Sequence, residues 1–481
     1  MKHKLLVMLF CTLMLLLIPG TAMAAEEINL GEVLPMWSVL PFVGLLLSIA
    51  IFPLLAPHWW EKRQARVSFC WALIFLIPFG CAFGAHEAAF NLLESVLLDY
   101  LPFIILLFGL FAVAGGITLR GSLVGSPKVN IIILAIGTLL SSWIGTTGSS
   151  MLMIRPIIHA NHWRKKKAHV IVFFIFLVSN IGGCLTPVGD PPLLLGFLRN
   201  VPFFWTMRLL PLMLFNMAIL LSVFFLLDRH FYKKEIAAGN MPPETESEKK
   251  EPLRVEGAHN LIFLVMIIFS VILNGLLTNF PFFADPVTRE LHGFDIMGVV
   301  LPYNSLVEIA IILLAAFLSL KTTRQEIRQN NQFTWGPIKE VAVLFIGIFI
   351  TMIPALAILK ANGASLGITE PFHFFWITGA LSSFLDNAPT YLVFLTTAGS
   401  LGATAGLSTT LGFIPETILM AISAGAVFMG ANTYIGNAPN FMVRSIAEEN
   451  GISMPSFFGY MAWSMSFLIP VFLLDTLIFF L

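Results

Sequence analysis

Two aspartates and a set of amides and hydroxyls inside long apolar stretches are the residues of this chain best placed to do chemistry. Asp190 lies in the string GDPP at 189–192, and Asp386 begins the string DNAPT at 386–390. A carboxylate at membrane depth is costly, so it normally serves a proton or cation pathway. Neutral side-chain oxygens that suit a dehydrated Na⁺ lie near them in sequence or in related segments, at Asn180, Thr186, Asn387, Thr390, Asn432, Thr433 and Asn437. We therefore expect ion or substrate binding here, with Asp190 and Asp386 as Na⁺ ligands.

Two alternatives stay open for these residues. Asp190 stands directly before Pro191, so its side chain could instead cap a helix that begins there. An anionic substrate is the other alternative. Arg155 and Arg444 are the basic residues that could bind such a substrate. Both lie at the predicted cytoplasmic ends of apolar spans, where snorkelling of the side chain toward water accounts for them. Helix N-termini could still bind a carboxylate without arginine, and so could the hydroxyl-rich tip of the segment 129–158. This tip contains Thr146, Thr147 and Ser149.

Composition places these residues in a membrane protein. The 481 residues are 57% hydrophobic and 11% charged, about half the charge fraction of a soluble domain. The apolar residues come in blocks of about 20, the length that crosses a bilayer. We therefore expect an all-α polytopic fold in a lipid bilayer. The formal net charge is zero, and no basic tract with interleaved aromatic residues extends beyond short loops, which argues against a nucleic-acid partner.

Metal centres and enzymatic motifs are not indicated. The four cysteines, Cys11, Cys70, Cys81 and Cys184, stand alone in apolar stretches, which favours packing over a zinc site or disulfides. The sequence contains no HExxH metal helix and no GxSxG nucleophile elbow, so we expect no enzyme. We also expect no cofactor, with Na⁺ and H⁺ as transported or coupling ions.

The chain divides into four parts. Residues 1–24 combine basic residues, an apolar run and a small-residue site, which predicts a signal peptide cut after Ala24 or else an uncleaved helix. Residues 25–228 and 258–481 hold six apolar spans each, and the polar stretch 229–257 between them is expected to be a cytoplasmic linker.

One span in each part has a polar centre: 129–158 contains GTTGSS, and 370–400 contains DNAPT. A re-entrant hairpin can bury such a tip in protein, whereas a continuous span would leave it in hydrocarbon. With both drawn as hairpins, all lysines and arginines after residue 24 fall on the cytoplasmic side except Arg199, Arg208, Arg289 and Lys360. This agrees with the positive-inside rule.

An internal repeat links the two parts. Residues 140–149 (LSSWIGTTGS) align with 381–390 (LSSFLDNAPT), and 183–192 (GCLTPVGDPP) align with 430–439 (GANTYIGNAP). The predicted order of spans is the same in each half, but its orientation in the membrane is opposite. Gly and Pro in the second pair of segments should break each helix into two halves around a polar centre. Ion-coupled transporters with inverted repeats bind their ions and substrates at such breaks.

Expectations for the remaining charged groups are plainer. His159 and His162, beside the basic run Arg164 to Lys167, could sense cytoplasmic pH, but an ordinary solvated basic loop accounts for them. Glu308 and Glu340 lie near predicted span entrances, so we expect them at the membrane interface.

Two strings resemble signatures of the ion transporter superfamily. The string at 179–192 (SNIGGCLTPVGDPP) is similar to its SNIGG-x-x-TP-x-GDPP motif, and 384–390 (FLDNAPT) is similar to its FLDN-x-PT element. The superfamily includes D-type sodium/proton antiporters, citrate-transporter-like proteins, arsenite permeases and divalent-anion/sodium symporters. The resemblance implies homodimers whose scaffold domain carries an elevator-like transport domain. Gly145-Thr146-Thr147 departs from the carboxylate–Asn pair expected at the first hairpin.

These observations predict an ion-coupled secondary transporter in the inner membrane of a bacterium. A Na⁺/H⁺ antiporter accounts for Asp190 and Asp386 and for the lack of a central arginine. A Na⁺- or H⁺-coupled carrier of citrate, another carboxylate or an oxyanion is the alternative.

Overall fold

The computed structural model describes residues 29–121, 123–240, 242, 254–286, 288 and 290–481. The predicted signal peptide and the central part of the predicted linker lie outside these residues. Ten helical segments in the described ranges are long and apolar enough to cross a membrane. The prediction of an all-α multi-pass membrane protein is confirmed.

The described helices are numbered in chain order. Those of the first half are α1 Leu30–Val33, α2 Leu40–Leu55, α3 Pro57–Phe83, α4 Ala85–Glu94, α5 Leu101–Ala114, α6 Pro127–Ile144, α7 Thr146–Ala160, α8 Ala168–Leu177, α9 Pro191–Phe197 and α10 Leu210–Ala237. Those of the second half are α11 Asn260–Leu277, α12 Tyr303–Thr322, α13 Gln325–Asn330, α14 Gly336–Asn362, α15 Pro371–Ser382, α16 Asn387–Gly399, α17 Glu416–Met429, α18 Ala438–Glu449 and α19 Phe457–Asp475.

Short irregular turns and small sheets connect these helices. Within the described ranges, six short strands form three antiparallel pairs: β1 (Thr118–Arg120) with β2 (Arg254–Glu256), β3 (Gly293–Ile296) with β4 (Val299–Pro302), and β5 (Leu407–Thr409) with β6 (Gly412–Ile414). The first pair joins the end of the central linker to the segment that follows α5.

Both polar-centred spans are helix–turn–helix units. Gly145 alone joins α6 to α7, with a φ of +80° that favours glycine. Residues 383–386 join α15 to α16. In each unit the two helices pack against each other, which is the shape of a hairpin. The side of the bilayer from which each hairpin enters, and the inverted orientation of the two halves, stay predictions.

Two helices are interrupted at their polar centres. α8 ends at Leu177, and an irregular stretch precedes α9, which starts at Pro191. α17 ends at Met429, and α18 starts at Ala438. Proline lies in the first turn of both second halves, where its missing N–H leaves no hydrogen bond unmade.

The interrupted helices lie in the centre of the core. Every residue of α8 from His169 to Leu177 is buried, and α17 is buried from Ile418 to Met429 except at Met420. The second part of each interrupted helix packs on the hairpin of the other half, α9 against α16 and α18 against α7. The starts of four helices are therefore brought to one place.

Candidate functional site

Asp190 lies at the point where these four helices begin. Its side chain is 1% exposed. The Thr146 hydroxyl donates to its Oδ1 over 2.8 Å, the Asn437 amide donates to the same oxygen over 3.1 Å, and the Asn387 amide donates to Oδ2 over 2.6 Å. The partners are the first residues of α7 and α16 and the residue before α18. Each half of the chain thus contributes to one site.

The electrostatics of this arrangement favour a negative charge without a fixed cation. Helix N-termini carry a partial positive charge, and four of them converge here. The three hydrogen-bond donors are neutral. Among the described ion pairs, none involves Asp190. A hydrogen-bonded carboxylate of this kind can bind either a proton or a small cation.

The two aspartates lie in different local settings. Asp190 precedes α9, but its side chain makes no cap hydrogen bond to that helix. Asp386 does cap its helix, since its Oδ1 accepts from the backbone N–H of Ala388 over 3.0 Å. Asp386 is half-buried and precedes Asn387, the partner of Asp190. The capping alternative considered for Asp190 therefore describes Asp386 instead.

Asn180 forms a second layer around the site. Its side-chain oxygen accepts from Asn437 over 3.3 Å, and its amide donates to Asn440 Oδ1 over 2.7 Å. Asn440 in turn donates to the carbonyl oxygens of Gly430 and Thr433, both over 2.9 Å. Sequence analysis missed Asn440, although its position directly after the aligned segment 430–439 was available as a signal. These contacts fix the orientation of the Asn437 amide toward Asp190.

Three of the other predicted residues connect the hairpins to the interrupted helices. Thr186 donates to the Ser142 carbonyl oxygen and Thr433 to the Ser383 carbonyl oxygen. Asn432 donates to the Ser383 hydroxyl over 2.9 Å. None of these three forms a described hydrogen bond with Asp190.

Three further predicted residues lie on the second helices of the hairpins. Thr390 donates to the Asp386 carbonyl oxygen over 2.9 Å, and Ser149 donates to the Gly137 carbonyl oxygen over 2.8 Å. Thr147 is half-buried in the first turn of α7. Of the twelve predicted residues, the structure therefore brings Thr146, Asn387 and Asn437 into contact with Asp190.

Two amide oxygens of the site have no hydrogen-bond partner among the described residues. They are Asn387 Oδ1 and Asn432 Oδ1. A buried polar atom without a partner is uncommon in native proteins and calls for an explanation. The Asn387 side chain donates to Asp190 through Nδ2, so its free oxygen lies on the same side chain as a contact to the carboxylate. Both oxygens are suited to a hard cation.

The arginines considered for an anion site are engaged elsewhere. Arg155 donates to Asn331 Oδ1 over 3.2 Å and to Gln332 Oε1 over 2.9 Å. Arg444 pairs with Glu448 over 3.0 Å and lies over the Tyr434 ring. Neither forms a described hydrogen bond with Asp190.

The basic run that begins at Arg164 differs from the expected solvated loop. Arg164 is buried and forms an ion pair with Asp228 over 2.6 Å. His169 and Asn130 also bond to Asp228, over 2.8 and 2.9 Å. The expectation was wrong for Arg164 because α6, α8 and α10, which carry Asn130, His169 and Asp228, pack against one another and bury this group. His159 and His162 are exposed, as a solvated loop requires.

Family comparison identifies the protein class. Residues 31–480 match the family described as "Putative citrate transport", and the chain belongs to this family. No curated protein sequence matches the chain. Together with the ten apolar helices, the family places the chain among ion-coupled membrane transporters rather than enzymes. The resemblance to a citrate-transporter-like family is confirmed.

Proposed function

We propose that this chain is a Na⁺/H⁺ antiporter in which Asp190 binds the two ions in turn. The observation that carries the proposal is a buried carboxylate whose three hydrogen-bond partners, Thr146, Asn387 and Asn437, are neutral. A carboxylate without a fixed cationic partner can exchange a proton for a metal ion. This exchange at one group would couple the two fluxes.

Residues around Asp190 supply the ligands in this proposal. The Asn387 oxygen has no described partner and would join the carboxylate as a Na⁺ ligand. Asp386, which caps the helix that carries Asn387, would provide the second negative charge near the site. Oxygen ligands of this type match the preference of hard cations.

Alternating access requires the site to move or to open toward each side in turn. α9 packs on α16, and α18 packs on α7, so the four helices that form the site are joined across the two halves. We propose that they move together as an elevator-like unit within a homodimer in a bacterial inner membrane.

Everted membrane vesicles provide the test. A pH-sensitive dye reports the proton gradient when Na⁺, Li⁺ or K⁺ is added to respiring vesicles that contain the protein. We expect Na⁺ or Li⁺ to collapse the gradient rapidly, and vesicles with the Asp190→Asn variant to show no such response. A lack of response to every cation would reject the proposal.

A coupled carrier of citrate or another carboxylate is the second candidate. The family description names citrate transport, and four helix N-termini at one site could bind an anion. Uptake of radiolabelled citrate into proteoliposomes, driven by Na⁺ or by a proton gradient, tests this candidate directly. Uptake above protein-free liposomes would support it, and no uptake with either ion would exclude citrate.

A further inference from the structure

Three polar residues are buried together where α11 ends and α12 begins, away from Asp190. Glu308 and Asn304 are each 4% exposed, and Asn274 is also buried. Asn304 and Glu308 are four residues apart on α12, so they share one face of the helix. Glu308 was expected at the membrane interface, and this expectation was wrong because α11 packs against α12 and covers it.

Hydrogen bonds connect the three side chains into a chain. The Asn274 amide donates to Glu308 Oε2, and the Asn304 amide donates to Asn274 Oδ1. Asn304 Oδ1, the side-chain oxygen at the end of this hydrogen-bonded series, is buried and has no partner among the described residues. Glu308 is absent from the described ion pairs. The carboxylate is thus left without a described cationic partner, and the Asn304 oxygen is left without a described donor.

Two residues of the cluster, Asn274 and Asn304, lie in the wall of a large cavity, whereas Glu308 is not among its lining residues. The cavity has a volume of about 990 Å³, and Asn274 and Asn304 line it together with Asp99, Arg199 and Lys360. Arg199 is held by Asp99 through two hydrogen bonds of 2.6 and 2.9 Å, so its charge is already compensated. Asp190 and its three partners are not among the lining residues. The cluster is therefore distinct from the site at the helix starts.

We propose that Asn274, Asn304 and Glu308 bind a small monovalent cation from this cavity. The Glu308 carboxylate supplies the charge, and the free Asn304 oxygen supplies a neutral ligand of the type that hard cations prefer. Binding here would satisfy the buried amide oxygen and compensate the buried carboxylate. The inference goes beyond the proposed antiport and does not depend on Asp190.

Equilibrium binding of ²²Na⁺ to the purified full chain tests the proposal. We expect Glu308→Gln to lower the stoichiometry by about one Na⁺ per chain, because the variant keeps the side-chain volume and the contact with Asn274 but loses the charge. The same loss is expected in an Asp190→Asn/Asp386→Asn background. Glu94→Gln, a change of a carboxylate that lines the cavity, should leave the stoichiometry unchanged.

Two results would overturn the proposal. One is an unchanged stoichiometry in Glu308→Gln, and the other is a loss that is equal in Glu94→Gln. Size-exclusion profiles and thermal unfolding establish that each variant is folded, and Asn304→Leu gives a second variant that leaves the carboxylate in place and should weaken binding. The Asp190→Asn/Asp386→Asn background lacks both central carboxylates. A loss of Na⁺ binding caused by Glu308→Gln in that background can therefore be assigned to Glu308 even if the antiport proposal fails.

Discussion

The two interrupted helices offer a comparison within one molecule. In the first half, the Ser142 hydroxyl donates to the Gly182 carbonyl oxygen over 2.5 Å. In the second half, the Ser383 hydroxyl donates to the Met429 carbonyl oxygen over 3.0 Å. The two serines are 241 residues apart (142 to 383) and the two acceptors 247 (182 to 429), which are the spacings of the aligned segments.

Further contacts recur in the same way. Thr186 and Thr433 each donate to the carbonyl oxygen of the corresponding serine. Thr206 donates to the Leu185 carbonyl oxygen, and Ser464 donates to the Asn432 carbonyl oxygen, each over 2.8 Å. The hydrogen bonds that hold an interrupted helix against its hairpin, and those that hold it against the segment that follows, are therefore each present in both halves.

Charge is not duplicated in this way. Asp190 aligns with Asn437, and Asp386 aligns with Gly145. Each half thus contributes one carboxylate, the first from its interrupted helix and the second from its hairpin. The comparison separates residues that build the backbone frame, which both halves share, from residues that determine what binds, which differ between them.

Neutralising Asp190 should have the largest effect. Asp190→Asn gives the first half the asparagine that the second half has at the aligned position 437. We expect Na⁺-dependent proton flux in everted vesicles to fall to the level of vesicles without the protein. Asn437→Ala removes a single neutral donor to Asp190 and is the matched control, so it should retain measurable flux. Equal flux in Asp190→Asn and wild type would mean that the carboxylate has no role in coupling.

Moving the carboxylate to the equivalent position should restore part of the activity. Asn437 Nδ2 lies 3.1 Å from Asp190 Oδ1, so the double variant Asp190→Asn/Asn437→Asp would place the charge close to its original position. We expect its proton flux to exceed that of Asp190→Asn and to remain below wild type. A double variant no better than Asp190→Asn would show that the two halves are not interchangeable at this pair.

The two hairpin residues that contact Asp190 should contribute unequally to Na⁺ affinity. Asn387 and Thr146 are aligned, but the Asn387 oxygen has no described partner, whereas the Thr146 hydroxyl donates to the carboxylate. Asn387→Ala should raise the Na⁺ concentration for half-maximal flux by about tenfold. Thr146→Val should raise it less, because it removes one hydrogen bond to the carboxylate and no proposed ligand. The reverse order would contradict the assignment of Asn387 as a ligand.

Replacing the duplicated serines, Ser142 and Ser383, should have the smallest effects, and the effects of the two replacements should be similar. Ser142→Ala and Ser383→Ala each remove hydrogen bonds between a hairpin and an interrupted helix, so each should lower the free energy of unfolding by about 1 kcal/mol. Thermal unfolding of the purified protein in detergent measures this, and ion selectivity should not change. A change in ion selectivity with either variant would contradict the assignment of these serines to the backbone frame rather than to the binding site.

Local features of the fold could be predicted from the sequence, because glycine, proline and polar residues inside apolar spans act on their own neighbourhood. The interruptions before Pro191 and Ala438 and the turn at Gly145 are of this kind. Contacts between distant residues could not be predicted. The bond from Asn387 to Asp190 spans 197 residues, and it depends on α9 packing against a hairpin of the other half.

The same limit explains the errors at Arg164 and Glu308. Both lie near the ends of apolar spans, where composition alone favours solvent or the membrane interface. Their burial depends on which helices meet there, and Arg164 is paired with Asp228 on α10, 64 residues further along the chain. Sequence position alone does not reveal such a partner.

Proton release on Na⁺ binding tests the central claim most directly. If Na⁺ and a proton compete for Asp190, addition of NaCl to the purified protein in weakly buffered detergent solution should release up to about one proton per Na⁺ bound at this site. We expect release from the wild-type protein and a marked loss of it in Asp190→Asn, with choline chloride as the control for ionic strength. Na⁺ binding without proton release, or equal release from both proteins, would contradict exchange of the two ions at Asp190.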